Sequence, residues 1–349
     1  MRPYFITAFL FLSTIAAQAQ RICETEEYSK NYFALKSQRV TPQENSVPPR
    51  DTVSNEIITI PVVVHVLFNS AEQNISVAQV LSQINVLNSD FRFLNSDKSL
   101  IPEAFKSAAA DARIMFCLAK VDANGRSTNG IDRKYSSKAY FMADDGMKFK
   151  AQGGADAWDS KRYLNIWVCR LFGRTLGYAT PPGGDATKDG VVISYNVFGT
   201  QGNVRSDFNK GRTATHEVAH WLGLKHIWGD DYCGDDGIGD TPPQKSYNFN
   251  CPAFPRISNC APGTTGDMFM NYMDLTSDAC MNMFTTGQKN KMRSLFALQG
   301  SRNSLLRSYQ CDGSLASEGP LPEDTIPVVP LADVISVYPN PVVDFVTVQ

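Results

Sequence analysis

Residues 216–226 read His-Glu-Val-Ala-His-Trp-Leu-Gly-Leu-Lys-His, and this run limits the fold more than any other stretch of the chain. Residues four apart on an α-helix share a face, so His216 and His220 offer imidazole nitrogens to one point from successive turns. Glu217 is one position along and leans beside that point. Gly223 accepts a left-handed backbone and ends the helix, after which the chain turns and returns His226 as a third ligand. Three protein ligands with a fourth position open is the arrangement of catalytic zinc sites, where the metal lowers the pKa of water and polarises a carbonyl. Glu217 is then placed to take the water's proton and hand it to a leaving amine. A lone His-Glu-x-x-His arises by chance; the added Gly223 and His226 make the pattern specific. The chain has four histidines in all, and the remaining one, His65, lies in an apolar strand pattern and reads as a core histidine.

The rest of the chain supplies a setting for this helix. Its 349 residues suffice for a large core, and a net charge of −2 gives no basic surface for nucleic acid or anionic membrane. Residues 1–19 read as a signal peptide, from Arg2, the apolar run Phe5 to Ala17, and Ala17-Gln18-Ala19 before the cleavage point. No other stretch is long and apolar enough to span a bilayer. Residues 20–55 are polar, with three prolines (Pro42, Pro48 and Pro49) and no strong periodicity, and read as a pro-segment.

Residues 56–311 carry the main domain. Ile57 to Leu67 is rich in β-branched residues and predicts a buried strand; Ala112 to Ala119, Tyr163 to Leu171 and Gly190 to Val197 predict others. Ser76 opens a helix with Gln79 three residues on, as in a capping box, and Val77, Val80, Leu81, Ile84 and Leu87 give it an apolar face. Gly211 to Leu224 is the helix that carries the histidines, residues 229–282 predict irregular structure, and Phe284 to about Leu306 predicts a closing helix. Strands separated by helices give an α/β fold. Residues 312–331 have linker composition, and residues 332–349 alternate like the start of a β module that stops mid-pattern. Four of eight cysteines fall within 233–280, and in an exported chain they can pair, with connectivity open on spacing alone.

The extended histidine motif resembles the metzincin metalloprotease signature. Asn271-Tyr272-Met273-Asp274 looks like the methionine-containing turn of that class, with Met273 as its base, and the spacing and cysteine-rich insert resemble the pappalysin branch. The resemblance covers about Ile57 to Cys311. It implies an α+β metzincin catalytic domain, a twisted mixed sheet with the active-site helix over it and an irregular cysteine-rich C-terminal subdomain. It implies disulfides Cys233–Cys260 and Cys251–Cys280. It implies structural calcium near Asp235, Asp236, Asp240 and Thr241, whose oxygens suit a hard cation. It places Asp278 at the base of the pocket for the residue after the scissile bond, where a carboxylate selects arginine or lysine.

The same resemblance reaches the leader and the tail. Cys23 looks like the switch thiol that occupies zinc's open position in metzincin zymogens. The usual glycine after it is replaced by Glu24, and with a preference for arginine the enzyme would remove its own leader before Arg39 or Arg50. The tyrosine that many metzincins carry two residues after the turn methionine is here Leu275, which leaves the oxyanion without that donor. Val337-Tyr338-Pro339-Asn340-Pro341 resembles the start of a sorting domain for type IX secretion, which implies release or attachment at the cell surface.

Together these features predict a secreted zinc endopeptidase acting on protein or peptide substrates. They also predict strand addition at Leu176-Gly177-Tyr178-Ala179. The alternative is a weak or inactive binding module that keeps zinc for structure; Glu217 argues against it, because a structural site needs no base. A zinc hydrolase of small amides or lipids would need no long substrate edge. No Ser-His-Asp set, phosphate loop or nucleotide fingerprint is present in the sequence.

Overall fold

A computed structural model describes residues 21–37, 55–260, 263 and 265–315. The signal peptide, the bonds before Arg39 and Arg50, most of the linker and the C-terminal tail lie outside these residues. The described chain begins with a two-residue strand, β1 (Ile22–Cys23), and helix α1 (Thr25–Ser37), where the sequence shows no strong periodicity. The leader owes this structure to what it docks on.

The β-branched run forms β2 (Ile58–Phe68), with ten of its eleven residues buried. Such a strand must be covered on both faces, and it lies inside a sheet. The first half of β2 pairs in parallel with β3 (Ile114–Leu118) and its second half with β4 (Ile131–Tyr135). On its other side it pairs with β5 (Leu164–Cys169). The sheet continues through β7 (Gly190–Ser194) to β6 (Thr175–Ala179), which is antiparallel to β7, and ends at β1, giving seven strands. The mixed sheet agrees with the expected α+β class. Strand β7 is shorter than its sequence pattern, because residues Tyr195–Val197 tighten into a 3-10 turn.

Helix α2 (Val77–Phe91) and helix α4 (Arg212–Trp221) pack against one another on one face, beyond the short α3 (Glu103–Lys106). The buried stripe of α2 is Val80, Ile84, Leu87 and Phe91; Val77 and Leu81 fall at its rim and are exposed. Only half of the expected capping box forms. Ser76 accepts the Gln79 N–H at 3.1 Å, but the Gln79 amide donates instead to the carbonyls of Tyr195 and Phe198. Gln83 does similar long-range work, donating to the Gly211 carbonyl at 3.0 Å and so fixing where α4 begins.

The long closing helix is not observed. Helix α5 (Thr286–Ser294) opens with a capping box of Thr285 and Gln288, then the chain folds back at Gly300 and resumes as a 3-10 turn at Asn303–Arg307. The reversal carries Arg302 onto buried Asp189 and over the Trp221 ring at 3.9 Å, while Leu298 is left in solvent. The described residues of 229–282 hold neither helix nor strand, and disulfides Cys233–Cys260 and Cys251–Cys280 tie them. A third disulfide joins Cys117 to Cys311, and Cys169 is a buried free thiol. His65 is fully buried, stacked on Trp167 at 5.2 Å and 3.0 Å from both Asp132 and Asn165, remote in role from the other three histidines. No helix among the described residues is long and apolar enough to cross a membrane.

Candidate metal centre

Helix α4 is held at both ends by glycine. Gly211 caps its start at φ +71°, and a Cβ there would meet the Gln83 amide at 2.9 Å. At the other end Gly223 takes φ +85°, its N–H bonds to the His220 carbonyl and that of Leu224 to Ala219, a Schellman termination. The turn sends the chain back so that His226 faces His216 and His220. All three are at least 95% buried.

The three imidazoles are oriented through their Nδ1 atoms. His216 Nδ1 lies 2.6 Å from the Tyr272 carbonyl, His220 Nδ1 lies 2.8 Å from the Leu224 carbonyl, and His226 Nδ1 meets the Asp230 carboxylate. Each of these partners is an acceptor, so the proton sits on Nδ1 and each Nε2 carries a lone pair. His220 Nε2 is 3.0 Å from that of His216 and 3.2 Å from that of His226. Lone pairs at this separation repel unless a cation lies between them. Bonds of about 2.0–2.1 Å to a tetrahedral zinc would hold its nitrogens roughly 3.3 Å apart, which this arrangement fits. Burial and the neighbouring imidazoles push His216 well below the usual range and His220 down to about 3, so both stay neutral and able to ligate.

Cys23 brings a fourth donor. Its sulfur and the three imidazole nitrogens all lie within 4.8 Å of one another. Glu217 sits beside the cluster, 1% exposed, with Oε2 accepting from Thr25 Oγ1 at 2.8 Å and from Cys23 Sγ at 3.5 Å. Burial raises its carboxyl to about 7, against the pull of those hydrogen bonds. Gly177 of β6 passes so close that a Cβ would lie 2.9 Å from Glu217 Cγ. Met273 is fully buried, and its carbonyl accepts the N–H of Ile227, next to His226.

Asp278 is fully buried at the start of α4. Its Oδ2 accepts the backbone N–H groups of Lys210 at 2.9 Å and Arg212 at 3.1 Å, which leaves Oδ1 for the guanidinium of Arg21. Arg21 also donates to Thr213 Oγ1 at 2.9 Å and to the Thr276 carbonyl at 3.2 Å, and stacks over Phe208 at 5.1 Å. Between these anchors β1 pairs with β6 in parallel, Cys23 opposite Gly177. The Glu24 side chain, where a glycine was expected, turns aside to accept from Thr175. Leu275 lines the cleft with Arg21, Cys23 and His226. Tyr272 is fully buried against Arg212 and Phe284.

The expected calcium ligands do not converge. Asp240 accepts from Thr285 Oγ1 and Gly287 N and so serves the N-terminus of α5, while Asp235 bonds Gly237 N. Asp236 accepts from Ile238 N and Thr241 Oγ1 through Oδ1; its Oδ2 is buried without a hydrogen-bond partner. Sequence reasoning missed Asp230, Thr25, Phe208 and the occupancy of the Asp278 pocket by Arg21. Only Asp230, four residues after His226, sits where a local signal existed.

A glycine-ended helix with two histidines, a third returning behind it and a buried methionine turn define the metzincin class. The family model Peptidase_M43, pregnancy-associated plasma protein-A, matches residues 149–297. Extracellular metalloprotease 1 of Coccidioides posadasii (strain C735) is 38% identical over 141 residues, covering 38% of this chain and 49% of that protein. The chain spans about half the length of the first curated relatives it matches. Mature mirolysin of Tannerella forsythia, solved in complex with a cleaved peptide, is 50% identical with a TM-score of 0.71 over 76% of this chain and 99% of that one. A promirolysin mutant from the same organism is 47% identical, with a TM-score of 0.75 over 86% of this chain and all of that one. At 50% identity to a solved relative that covers 76% of this chain, the chain belongs to the pappalysin family of metzincin zinc metallopeptidases.

Groups that orient a ligating imidazole contribute about 10–100-fold to metal affinity. Asp230→Ala is therefore expected to weaken zinc binding by about that factor, read by competition with a chromophoric chelator, with one zinc per chain retained at saturation. An unchanged affinity would mean that Asp230 does not orient His226.

Proposed function

We propose that the chain is the latent form of a secreted zinc endopeptidase that cleaves on the N-terminal side of arginine, with lysine second. The observation that carries this reading is the seating of the leader: Arg21 on Asp278 and Cys23 among His216, His220 and His226. A zinc ion held by these three histidines would supply Lewis acidity toward a peptide carbonyl and a water of lowered pKa. Glu217 takes the proton from the attacking water and delivers it to the leaving amine. The edge of β6 holds the substrate backbone, and Asp278 holds the side chain that follows the scissile bond.

The direction of the leader explains its resistance to cleavage. Its N-terminal end lies at Asp278, and it then runs past the histidines. A substrate whose post-scissile residue fills the Asp278 pocket has its N-terminal end on the far side and runs the opposite way. It therefore adds antiparallel to β6, and the leader presents its carbonyls in the reverse sense. Arginine is preferred because the pocket offers three acceptors spread around a planar fork and an aromatic wall, Phe208. A compact ammonium cannot use all of them.

Calcium is assigned to the loop after His226, with Asp236 and Thr241 as its side-chain oxygens. The buried Asp236 Oδ2 without a hydrogen-bond partner supports this, beside a Thr241 hydroxyl 2.8 Å from Oδ1. Asp235 and Asp240 are left to the turn and to α5. Export rests on the signal peptide and on a tail, residues 332–349, addressed to type IX secretion.

Two outcomes follow. Protein freed of its leader, acting on denatured casein, is expected to release peptides whose new N-termini begin with arginine, about tenfold over lysine for one lost hydrogen bond in the pocket. Glu217→Ala and zinc chelation abolish them, and Asp278→Ala flattens the preference. New termini without basic residues would overturn the role of Asp278, and no cleavage would favour the zinc-binding module. Separately, a calcium-selective chelator is expected to lower the melting temperature by several degrees in the wild type and not in Asp236→Asn; equal shifts would remove the calcium assignment.

A further inference from the structure

The leader makes a third anchor beyond the histidines. Tyr28, on the first turns of α1, places its ring 4.9 Å from that of Tyr178 on β6 and donates its hydroxyl to Asp145 Oδ2 at 2.8 Å. Asp145 belongs to a buried charged cluster that the proposed chemistry does not use. Lys148 is fully buried, with its ammonium 2.8 Å from Asp145 Oδ1 and donating to Thr180 Oγ1 and the Lys188 carbonyl, both at 2.9 Å. The same ammonium lies 5.2 Å from the centre of the Tyr28 ring and 4.9 Å from that of Tyr178. Tyr178 donates to Asp145 Oδ1 at 3.1 Å, and Lys188 approaches Oδ2 at 3.1 Å.

A buried ion pair is costly and adds little to stability by itself. Here it fixes one carboxylate, on a residue at φ +68°, with Oδ1 satisfied from within and Oδ2 turned to whatever occupies the cleft. An open cleft of about 470 Å³ runs beside Tyr28, bordered by Asp144, Asp145 and Lys188, so the notch is reachable by a peptide. Along β6 the leader's contacts proceed from Thr175 through Gly177 to the Ala179 N–H, which Thr25 Oγ1 accepts, and then to Tyr28. Asp278 is at one end of this path and Asp145 at the other, with the histidines between.

We propose that the notch formed by Asp145, Lys148, Tyr178 and Lys188 is a substrate subsite for a tyrosine side chain upstream of the scissile bond, which Tyr28 fills while the leader is in place. The assignment of sides rests on the reading that Asp278 takes the residue after that bond. The phenol ring packs on Tyr178 with the Lys148 cation near its face, and the hydroxyl donates to the Asp145 carboxylate. A phenylalanine keeps the ring contacts and lacks the donor, leaving Oδ2 with Lys188 alone.

The test uses the full chain, incubated until sequencing shows that its N-terminus has moved past the leader. It is given peptides with arginine after the scissile bond and tyrosine, phenylalanine or alanine at each upstream position in turn. At one upstream position kcat/KM is expected to rank tyrosine about tenfold above phenylalanine, the worth of a hydrogen bond to a charged group, with phenylalanine above alanine. In Asp145→Asn, which tolerates the left-handed backbone, the tyrosine-to-phenylalanine ratio falls toward one while phenylalanine still exceeds alanine. If that variant fails to fold, the wild-type ratio decides alone. Equal rates for the three residues at every upstream position, with the arginine preference intact, overturn the subsite only. Loss of the arginine preference, or no cleavage at all, overturns the underlying reading and the subsite with it.

Discussion

Three imidazoles aim their Nε2 atoms at one another across 3.0–3.2 Å inside the protein, and the rest of the site is arranged to make that tolerable. Gly223 lets the chain reverse, the carbonyls of Tyr272 and Leu224 and the Asp230 carboxylate claim the Nδ1 protons, and the Met273 turn anchors the residue after His226. Each device fixes a tautomer or a direction, and together they make a cage that a divalent cation completes. Without a cation the same geometry is repulsive. The sheet enters through its edge: Gly177 is bare so that β6 can pass against Glu217.

The leader exploits the cleft from end to end. Asp278 is fully buried, and two backbone N–H groups and a guanidinium meet its two oxygens. Arg21 supplies the guanidinium, Cys23 the thiol and Tyr28 the phenol, three side chains spaced along eight residues of an otherwise polar segment. Under the proposed function such a mimic is bound where a substrate would be, yet reversed by its parallel pairing with β6, and resistance to hydrolysis would follow from that direction.

The parts of this site that could be read from the sequence are those written within one or two helical turns. His216, Glu217, His220, Gly223 and His226 are spaced by helix geometry, and the strands announce themselves by β-branched runs such as Ile58 to Phe68. Resemblance implied the disulfides Cys233–Cys260 and Cys251–Cys280, which the structure contains. What escaped is non-local. Asp278 and Arg21 are separated by 257 residues, and neither has a local pattern that names the other. Gln79 left its capping box for carbonyls more than a hundred residues away, and the closing helix broke because Arg302 is drawn to Asp189. Aspartates after His226 looked alike in sequence, yet Asp240 caps a helix while Asp236 keeps an unpartnered oxygen.

Cys23 lies at the three-histidine centre, where as a metal ligand it would join the metal site to latency, and cobalt reports that bond directly. The full chain with cobalt in place of zinc is expected to show a thiolate-to-cobalt charge-transfer band in the near ultraviolet. That band is expected to vanish in Cys23→Ser and when the leader is removed, while the three-histidine site keeps its metal. A spectrum of the full chain indistinguishable from that of Cys23→Ser would contradict it.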